Sequence, residues 1–221
     1  MGKDKLKRFE ENKSFPSLYQ PEFNELFRRD YEMKGKWASD HFKNDNPIVL
    51  ELGCGRGEYT VALSRMNTNK NYIGVDIKGA RMWRGAKTVT EEGITNAAFL
   101  RCRIEFIESA FDENEVSEIW ITFPDPQVKR ENKRLTSPSF IDRYRNLLKL
   151  GGLIHLKTDN SFLYEYTLEL VNSRDDLTLI EANNDIYGTG RADKILSVKT
   201  RYESQFLATG MKIHLLSFSI K

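Results

Sequence analysis

The chain has 221 residues, of which 39% are hydrophobic and 30% are charged, and these proportions are typical of a soluble globular protein. No apolar run approaches the roughly 18 residues of a membrane-spanning helix, and the polar amino terminus does not resemble a signal peptide, so we expect a cytoplasmic protein. Two cysteines, Cys54 and Cys102, are too few for a disulfide framework or a zinc site.

From residue 48 onward, short β-rich runs alternate with segments of helical periodicity. Seven strands are predicted, at 48–52, 71–77, 96–101, 118–123, 153–157, 177–182 and 211–220. Helices are predicted at 58–66, at 80–92 before Gly93, and from Pro138 to a stop at Gly151-Gly152. This alternation predicts an α/β fold with a mostly parallel sheet, helices on both faces, and ligands at the carboxyl ends of the strands.

Residues 1–47 precede this pattern and contain prolines among mixed charges. They predict a partly flexible arm ahead of a single domain at 48–221. The arm begins with basic side chains that could hold a polyanion, although surface solvation explains them equally well. These side chains are Lys3, Lys5, Lys7 and Arg8.

Gly53, Gly55 and Gly57 stand directly between a predicted strand and a predicted helix, where a backbone can approach a ligand closely. A dinucleotide-binding loop would have its third glycine at the position of Glu58. A pyrophosphate at this loop would also meet negative charge from Glu51 and Glu58. The sequence therefore disfavours hydride transfer.

Acidic residues stand on both sides of this loop. Glu51 comes just before Gly53, and Asp76 ends the next predicted strand, 23 residues after Gly53. This pattern resembles the S-adenosylmethionine site of class I (Rossmann-like) methyltransferases. The resemblance implies that Glu51 lies near the cationic methionine end of the cofactor and that Asp76 accepts hydrogen bonds from the ribose hydroxyls.

A rigid acidic loop follows the fourth core strand. Pro124 and Pro126 fix the backbone around Asp125, so its carboxylate is held at the sheet edge at low entropic cost. The chain continues with KRENKRLTSPSF at 129–140, LKTDN at 156–160 and TRYE at 200–203. Together these motifs closely resemble the tRNA (guanine-N7)-methyltransferase family, over residues 48–215.

The resemblance implies an S-adenosylmethionine-dependent enzyme that methylates N7 of the guanosine at position 46 in the tRNA variable loop and releases S-adenosylhomocysteine. It implies cofactor binding by Glu51, Gly53, Gly55, Asp76, Arg103 and Asp125, with Asp125 also at the catalytic centre. It implies substrate binding by Lys129, Asp159, Thr200, Arg201, Tyr202 and Glu203. The expected partner is tRNA, with no metal, no membrane and no obligate protein partner.

The expected reaction makes modest chemical demands. Guanine N7 carries an in-plane lone pair and no proton, so orientation and electrostatics rather than a general base should carry the rate. A carboxylate can accept the N1–H and N2–H of guanine, a pattern that adenine lacks. We hypothesise that Asp159 or Glu203 reads that edge while Asp125 orients the base beside the methyl group.

Basic charge is concentrated at 128–149, where the net charge is +5 against +2 for the whole chain. The basic residues nearest Asp125 are spaced closely enough to follow a phosphate backbone. They are Lys129, Arg130, Lys133 and Arg134. A solvated surface is the alternative, but the neighbouring Asp125 motif favours contact with tRNA.

Two positions depart from the family pattern. Gln127-Val128 replaces the usual Trp-Pro and removes an aromatic platform, and Arg103 replaces an acid near the adenine amino group, where a backbone contact can remain. These departures permit one alternative, a tRNA-binding module without catalysis. The cofactor loop by itself leaves a second alternative open, a small-molecule methyltransferase. The scattered histidines, His41, His155 and His214, do not predict a metal site, and Cys54 has no histidine placed to activate it.

Overall fold

A computed structural model describes the backbone of residues 2–221 and the side-chain environments of residues 4–221. The chain forms two compact units, of which the first ends at Asp112 and the second spans Glu113–Lys221. Each unit contains four strands, so the described residues hold eight strands where the sequence predicted seven. Within the described range, no helix is both long and apolar enough to cross a membrane.

The first unit is built on parallel strands. Strands β1 (Leu18–Tyr19), β2 (Ile48–Leu52), β3 (Asn71–Asp76) and β4 (Ala97–Arg101) lie in the order β1-β4-β3-β2. The helices are α1 (Gly2–Asn12), α2 (Phe23–Leu26), α3 (Glu58–Met66), α4 (Gly79–Glu92) and α5 (Ile107–Ala110), with a π-helical turn at Trp37–Phe42. All five residues of β2 are buried, which explains why its sequence is a continuous apolar run broken only by Glu51.

The predicted boundary between an arm and a domain, at residue 47, lies inside the first unit, which ends at Asp112. Residues on both sides of it pack within the first unit: Trp37 is fully buried, and its indole N–H donates a 2.9 Å hydrogen bond to the Ala110 carbonyl. The amide of Asn12, on α1, donates to the Gly79 carbonyl at 3.0 Å. Strand β1, which the sequence did not predict, also lies within residues 1–47. It has only two residues, too few to show the alternating pattern of a strand.

The second unit combines parallel and antiparallel pairing. Strands β5 (Val116–Thr122), β6 (Leu148–Thr158), β7 (Leu177–Asn183) and β8 (His214–Ile220) lie in the order β5-β6-β8-β7. Only the β5–β6 pair is parallel among the three strand pairs of this unit. The helices are α6 (Pro138–Leu147), α7 (Ser161–Ser173) and α8 (Arg201–Ala208). The periodicity of α6 was read correctly, and its buried side chains include Phe140, Ile141, Tyr144 and Leu147.

The role predicted for Gly151-Gly152 was wrong. Helix α6 already ends at Leu147, and both glycines lie inside β6. Gly151 has a φ of +74°, and the pairing of β5 with β6 changes register between Val116 and Glu118. The glycines therefore accommodate an irregularity in strand β6 and do not end the helix; both are common roles of glycine.

Candidate active site

The glycine loop between β2 and α3 leaves its backbone accessible. Gly53 and Gly55 have φ values of +79° and +55°, and a Cβ added to Gly53 would meet no atom within 4 Å. Gly57 has a different role, because a Cβ there would collide with the ring of Phe99. The first two glycines thus allow a left-handed loop with open space beside it, and the third allows α3 to pack closely.

Both predicted cofactor carboxylates are tied to this loop and to α3. Glu51 is 4% exposed, and its Oε2 accepts hydrogen bonds from the backbone amide of Thr60, at 2.8 Å, and from the Thr60 hydroxyl. Asp76 accepts a 2.9 Å bond from the Gly55 amide and a 2.8 Å bond from the Lys78 amide. The structure therefore brings Asp76 and Gly55 together, as the spacing implied.

Three further residues of the first unit bear on the predicted chemistry: Arg103, Cys102 and Cys54. Arg103 follows β4 and is exposed, at the start of the short turn at Ile104–Phe106. Burial raises the pKa of Cys102 to about 12 and raises the pKa of Cys54 as well. Because a thiolate is the reactive form, neither buried thiol is placed to act as a nucleophile.

In the second unit, the Pro-Asp-Pro loop has an unusual backbone. Phe123 and Gln127 flank it with φ values of +49° and +45°, which are uncommon for residues other than glycine. The exposed carboxylate of Asp125 accepts a 3.0 Å hydrogen bond from the Gln127 amide. Strained residues of this kind persist where the surrounding structure holds them, often at functional sites, and here they aim one acid outward.

Asp159 and the start of α8 supply the remaining predicted substrate residues. Asp159 is half-buried, and this burial raises the pKa of its carboxyl above the ordinary range. The next residue, Asn160, caps α7 by accepting a 2.9 Å bond from the Leu163 amide. On α8, Arg201 and Tyr202 are exposed. The side chains of Asp159, Arg201 and Tyr202 are therefore accessible to a substrate.

Glu203 differs from these residues. Its side chain is fully buried, and it forms a 2.8 Å ion pair with Lys157, which is equally buried. The Tyr187 hydroxyl also donates to Glu203, at 2.8 Å. Thr200 caps α8 by accepting from the Glu203 amide, at 3.2 Å. The Glu203 carboxylate is thus turned inward, which departs from the expectation of a substrate-facing acid.

The basic cluster divides into exposed and buried members. Lys129, Arg130 and Lys133 are exposed, as phosphate contacts require. Arg134 is only 6% exposed, and its guanidinium lies 4.2 Å from the ring centre of Tyr166. It also donates to the Val128 carbonyl at 3.1 Å. Grouping Arg134 with the phosphate-binding residues was therefore wrong, because its charge is used inside the protein.

Comparisons with known proteins agree with these motifs. A family model described as a putative methyltransferase matches residues 45–216. The tRNA (guanine-N(7)-)-methyltransferase of Christiangramia forsetii is 53% identical, over 100% of this chain and 99% of that protein. The enzyme of the same name from Bacteroides fragilis is 50% identical, over 99% of this chain and 86% of that protein. The chain belongs to the tRNA (guanine-N7)-methyltransferase family.

Solved structures place this tRNA (guanine-N7)-methyltransferase family member in a known fold. The 16S rRNA methyltransferase KamB superposes with a TM-score of 0.63 at 14% identity, over 83% of this chain and 92% of that one. A SAM-dependent methyltransferase from Aquifex aeolicus gives 0.56 at 13% identity, over 79% and 82%. The predicted α/β methyltransferase fold is confirmed, with eight strands instead of seven.

Sequence reasoning about this family member missed Lys157 and Tyr187. Lys157 was noticed only as part of the LKTDN motif, and Tyr187 only as part of a glycine-rich loop. A lysine at the end of a largely apolar strand was a usable signal, because a buried ammonium requires a partner. Metal binding has no candidate group: no three histidine, cysteine or acidic side chains are gathered as ligands anywhere in the described part of the chain.

Proposed function

We propose that this protein transfers a methyl group from S-adenosylmethionine to N7 of a guanosine in tRNA, at position 46 of the variable loop. The observation that carries the proposal is the full-length likeness to relatives named tRNA (guanine-N(7)-)-methyltransferase, at 53% and 50% identity. The exposed Asp125 and Lys129 and the half-buried Asp159 add chemistry suited to a guanine within a polyanion.

The residues of the first unit fit the cofactor. Asp76 is partly exposed at the end of β3, where its carboxylate can accept hydrogen bonds from two ribose hydroxyls. The open, left-handed backbone at Gly53 and Gly55 leaves room beside it. Glu51 supplies negative charge for the cationic methionine end, and exposed Arg103 can contribute a backbone contact near the adenine. When bound, S-adenosylmethionine supplies an electrophilic methyl group on a sulfonium.

The protein's own task is to orient the guanine and to balance charge. N7 needs no proton removed, so this chain does not have to provide a general base. Asp125, held by its two flanking prolines and the Gln127 amide, offers a fixed negative charge that also binds the cofactor. The purine ring gains positive charge as N7 is methylated, and a fixed carboxylate favours that change.

Asp159 is the better candidate for reading the guanine edge. Its carboxylate is half-buried and can accept the N1–H and N2–H of guanine, whereas the Glu203 carboxylate is occupied by Lys157 and Tyr187. Arg201 and Tyr202 directly precede Glu203 on α8 and are exposed. They offer a cation and an aromatic ring for the nucleotide. Thr200 and Glu203 then support α8 instead of contacting the base.

The tRNA backbone would be held by the exposed lysines and arginine after Asp125. Lys129, Arg130 and Lys133 can each neutralise a phosphate, which makes binding strongly dependent on salt. The amino-terminal basic residues are a weaker case: Arg8 lies over the Trp83 ring at 4.9 Å, while Lys5 and Lys7 are exposed on α1. The side chain of Lys3, also named from the sequence, lies outside the described residues.

The test is methyl transfer from labelled S-adenosylmethionine to unmodified tRNA, followed by chemical cleavage at N7-methylguanosine. The matched control is the same transcript with adenosine in place of the guanosine at position 46. Cleavage in the variable loop of the first transcript, and none there in the second, is the expected result.

The other outcomes separate the alternatives. Labelling at a different guanosine would overturn the assignment of position 46. Binding of the cofactor without any incorporation into tRNA would overturn the proposed substrate and favour a small-molecule acceptor. Binding of tRNA without binding of the cofactor would favour a binding module that lacks catalysis.

A further inference from the structure

A buried lysine joins three segments of the second unit. The Nζ of Lys157, at the end of β6, donates to the backbone carbonyls of Leu196 and Val198, at 2.6 and 3.2 Å. It also donates to Oε2 of Glu203, on α8, at 2.9 Å. One ammonium group thus ties the strand end to the segment before α8 and to α8 itself.

The network extends through Glu203 and Phe123. The Tyr187 hydroxyl donates to Oε1 of Glu203 at 2.8 Å, which adds the start of the connection between β7 and α8. The Lys157 carbonyl accepts a 2.8 Å bond from the amide of Phe123, the residue before the Pro-Asp-Pro loop. The Phe123 ring lies 5.8 Å from that of Phe206 on α8. The Phe123 end of the Pro-Asp-Pro loop, the 187–198 segment and α8 therefore meet around Lys157.

If Lys157 and Glu203 only stabilised the fold, their side chains would not need to be charged. Burying an ion pair costs solvation, and well-packed apolar side chains of similar volume often give equal or greater stability. Both side chains here are completely buried, so the cost is incurred in full. What apolar side chains cannot do is hold two backbone carbonyls and a carboxylate at fixed points, and the ammonium does this through directional hydrogen bonds.

We propose that Lys157 and Glu203 are positioning residues that fix the 187–200 segment and α8 against the ends of β5 and β6, and so set the places of Asp125, Asp159 and Arg201. This inference rests on the proposed function, since it concerns how that site is arranged. Neither residue contacts the substrate. Their effect on methyl transfer passes through the exposed side chains that they hold in place.

The decisive comparison uses the full-length protein with Lys157→Met, Glu203→Met and the double variant. Each single variant leaves one charge buried without its partner, so its thermal midpoint should fall. The double variant removes both charges and should recover most of that midpoint. Its turnover on tRNA should nevertheless stay at least about 10-fold below wild type, because the carbonyls of Leu196 and Val198 have lost their donor. Recovery of both stability and turnover would overturn the proposal and leave a structural ion pair only.

A milder variant covers the case in which the methionine variants do not fold. Tyr187→Phe removes one hydroxyl, and it should lower turnover about fivefold while the thermal midpoint falls only by the small amount that the loss of one hydrogen bond causes. The matched control is Lys194→Met, which changes an exposed lysine in the same segment and should stay within about twofold of wild type. Unchanged turnover in Tyr187→Phe would count against the network.

Amide hydrogen exchange gives a readout that needs no enzymatic activity. Exchange at 196–200 should be faster in the double variant than in wild type, while exchange in β2 and β3 stays the same. Protection at 196–200 that equals wild type would overturn the positioning role. If wild type itself fails to methylate tRNA, the proposed function fails, and the exchange experiment still decides whether Lys157 fixes this segment.

Discussion

The backbone amide of Gly55 donates a 2.9 Å hydrogen bond to Oδ2 of Asp76, which ties the glycine loop to the end of the neighbouring strand. The other carboxylate oxygen accepts from the Lys78 amide at 2.8 Å. Two backbone donors thus fix the orientation of the acid that we propose for the ribose. Loop shape and ribose recognition therefore depend on the same side chain.

Asp76→Asn should weaken cofactor binding more than it weakens folding. The amide oxygen can keep one of the two bonds from the Gly55 and Lys78 amides, but the charge that strengthens bonds from the ribose hydroxyls is lost, so we expect a rise in Kd of about 10- to 100-fold. Calorimetric titration with S-adenosylmethionine measures this. Glu91→Gln, an exposed acid on α4, is the matched control. Equal affinity in wild type and Asp76→Asn would contradict the assignment.

Asp125→Ala should reduce turnover far more than tRNA affinity. A fixed charge beside the reacting base acts mainly in the transition state, and losing such a group commonly costs about 100- to 1,000-fold in kcat. Asp125→Asn keeps an acceptor for the Gln127 amide and separates loop geometry from charge. Single-turnover rates and tRNA binding by filter retention are the two measurements. A parallel loss in both would show that Asp125 serves binding.

Asp159→Asn should lower activity without lowering stability. Burial raises the pKa of Asp159 above its ordinary 3.8, so the folded chain binds more protons than the unfolded chain between those two values. Stability therefore falls as pH rises through that window, and the ionised carboxyl still costs stability at pH 7. Asparagine removes this cost, so the thermal midpoint at pH 7 should be equal or higher.

The same shift predicts the pH dependence of methyl transfer. Wild-type kcat/KM for tRNA should fall as pH decreases through the raised pKa of Asp159, because the protonated acid no longer accepts both guanine donors. That acid limb should be absent in Asp159→Asn. A limb that stays the same in the variant would assign it to another group.

Lys133→Met and Arg134→Met should affect different properties although the two residues are adjacent: the first the salt dependence of tRNA binding, the second the thermal midpoint. Removing the exposed Lys133 should reduce the slope of log affinity against log salt by about 1. Removing the buried Arg134 should lower the midpoint, since its contacts with Tyr166 and the Val128 carbonyl are lost, and leave the salt slope unchanged. Salt-dependent binding and thermal unfolding distinguish them. A reduced salt slope in Arg134→Met would return that residue to the tRNA contacts.

Gly57→Ala should destabilise the protein by roughly 2–4 kcal/mol. Its φ of +71° costs about 1–2 kcal/mol for any residue with a Cβ, and the added methyl meets the Phe99 ring. Gly93→Ala is the matched control, because its φ is +63° but nothing lies within 4 Å of the new Cβ. Denaturant unfolding should show the smaller loss for the control, of about 1 kcal/mol. Equal losses would mean that the contact with Phe99 is relieved by local movement.

The sequence by itself determined the elements whose signals are local. Strand β2 is an apolar run broken only by Glu51, α4 is capped by Gly93, and the spacing from Gly53 to Asp76 indicated one site. Periodicity and backbone requirements belong to neighbouring residues, so a single chain contains them. The family motifs around Asp125, Asp159 and Glu203 were readable for the same reason.

Only the tertiary structure decided which charged side chains face solvent. Arg134 and Lys133 are adjacent in one basic run, yet Arg134 is enclosed by aromatic rings and Lys133 is exposed. Asp159 and Glu203 were equal candidates for the guanine edge, until Lys157 and Tyr187 were found to occupy Glu203. Burial of a charge is set by partners 16 to 46 residues away along the chain, and no local pattern encodes such contacts.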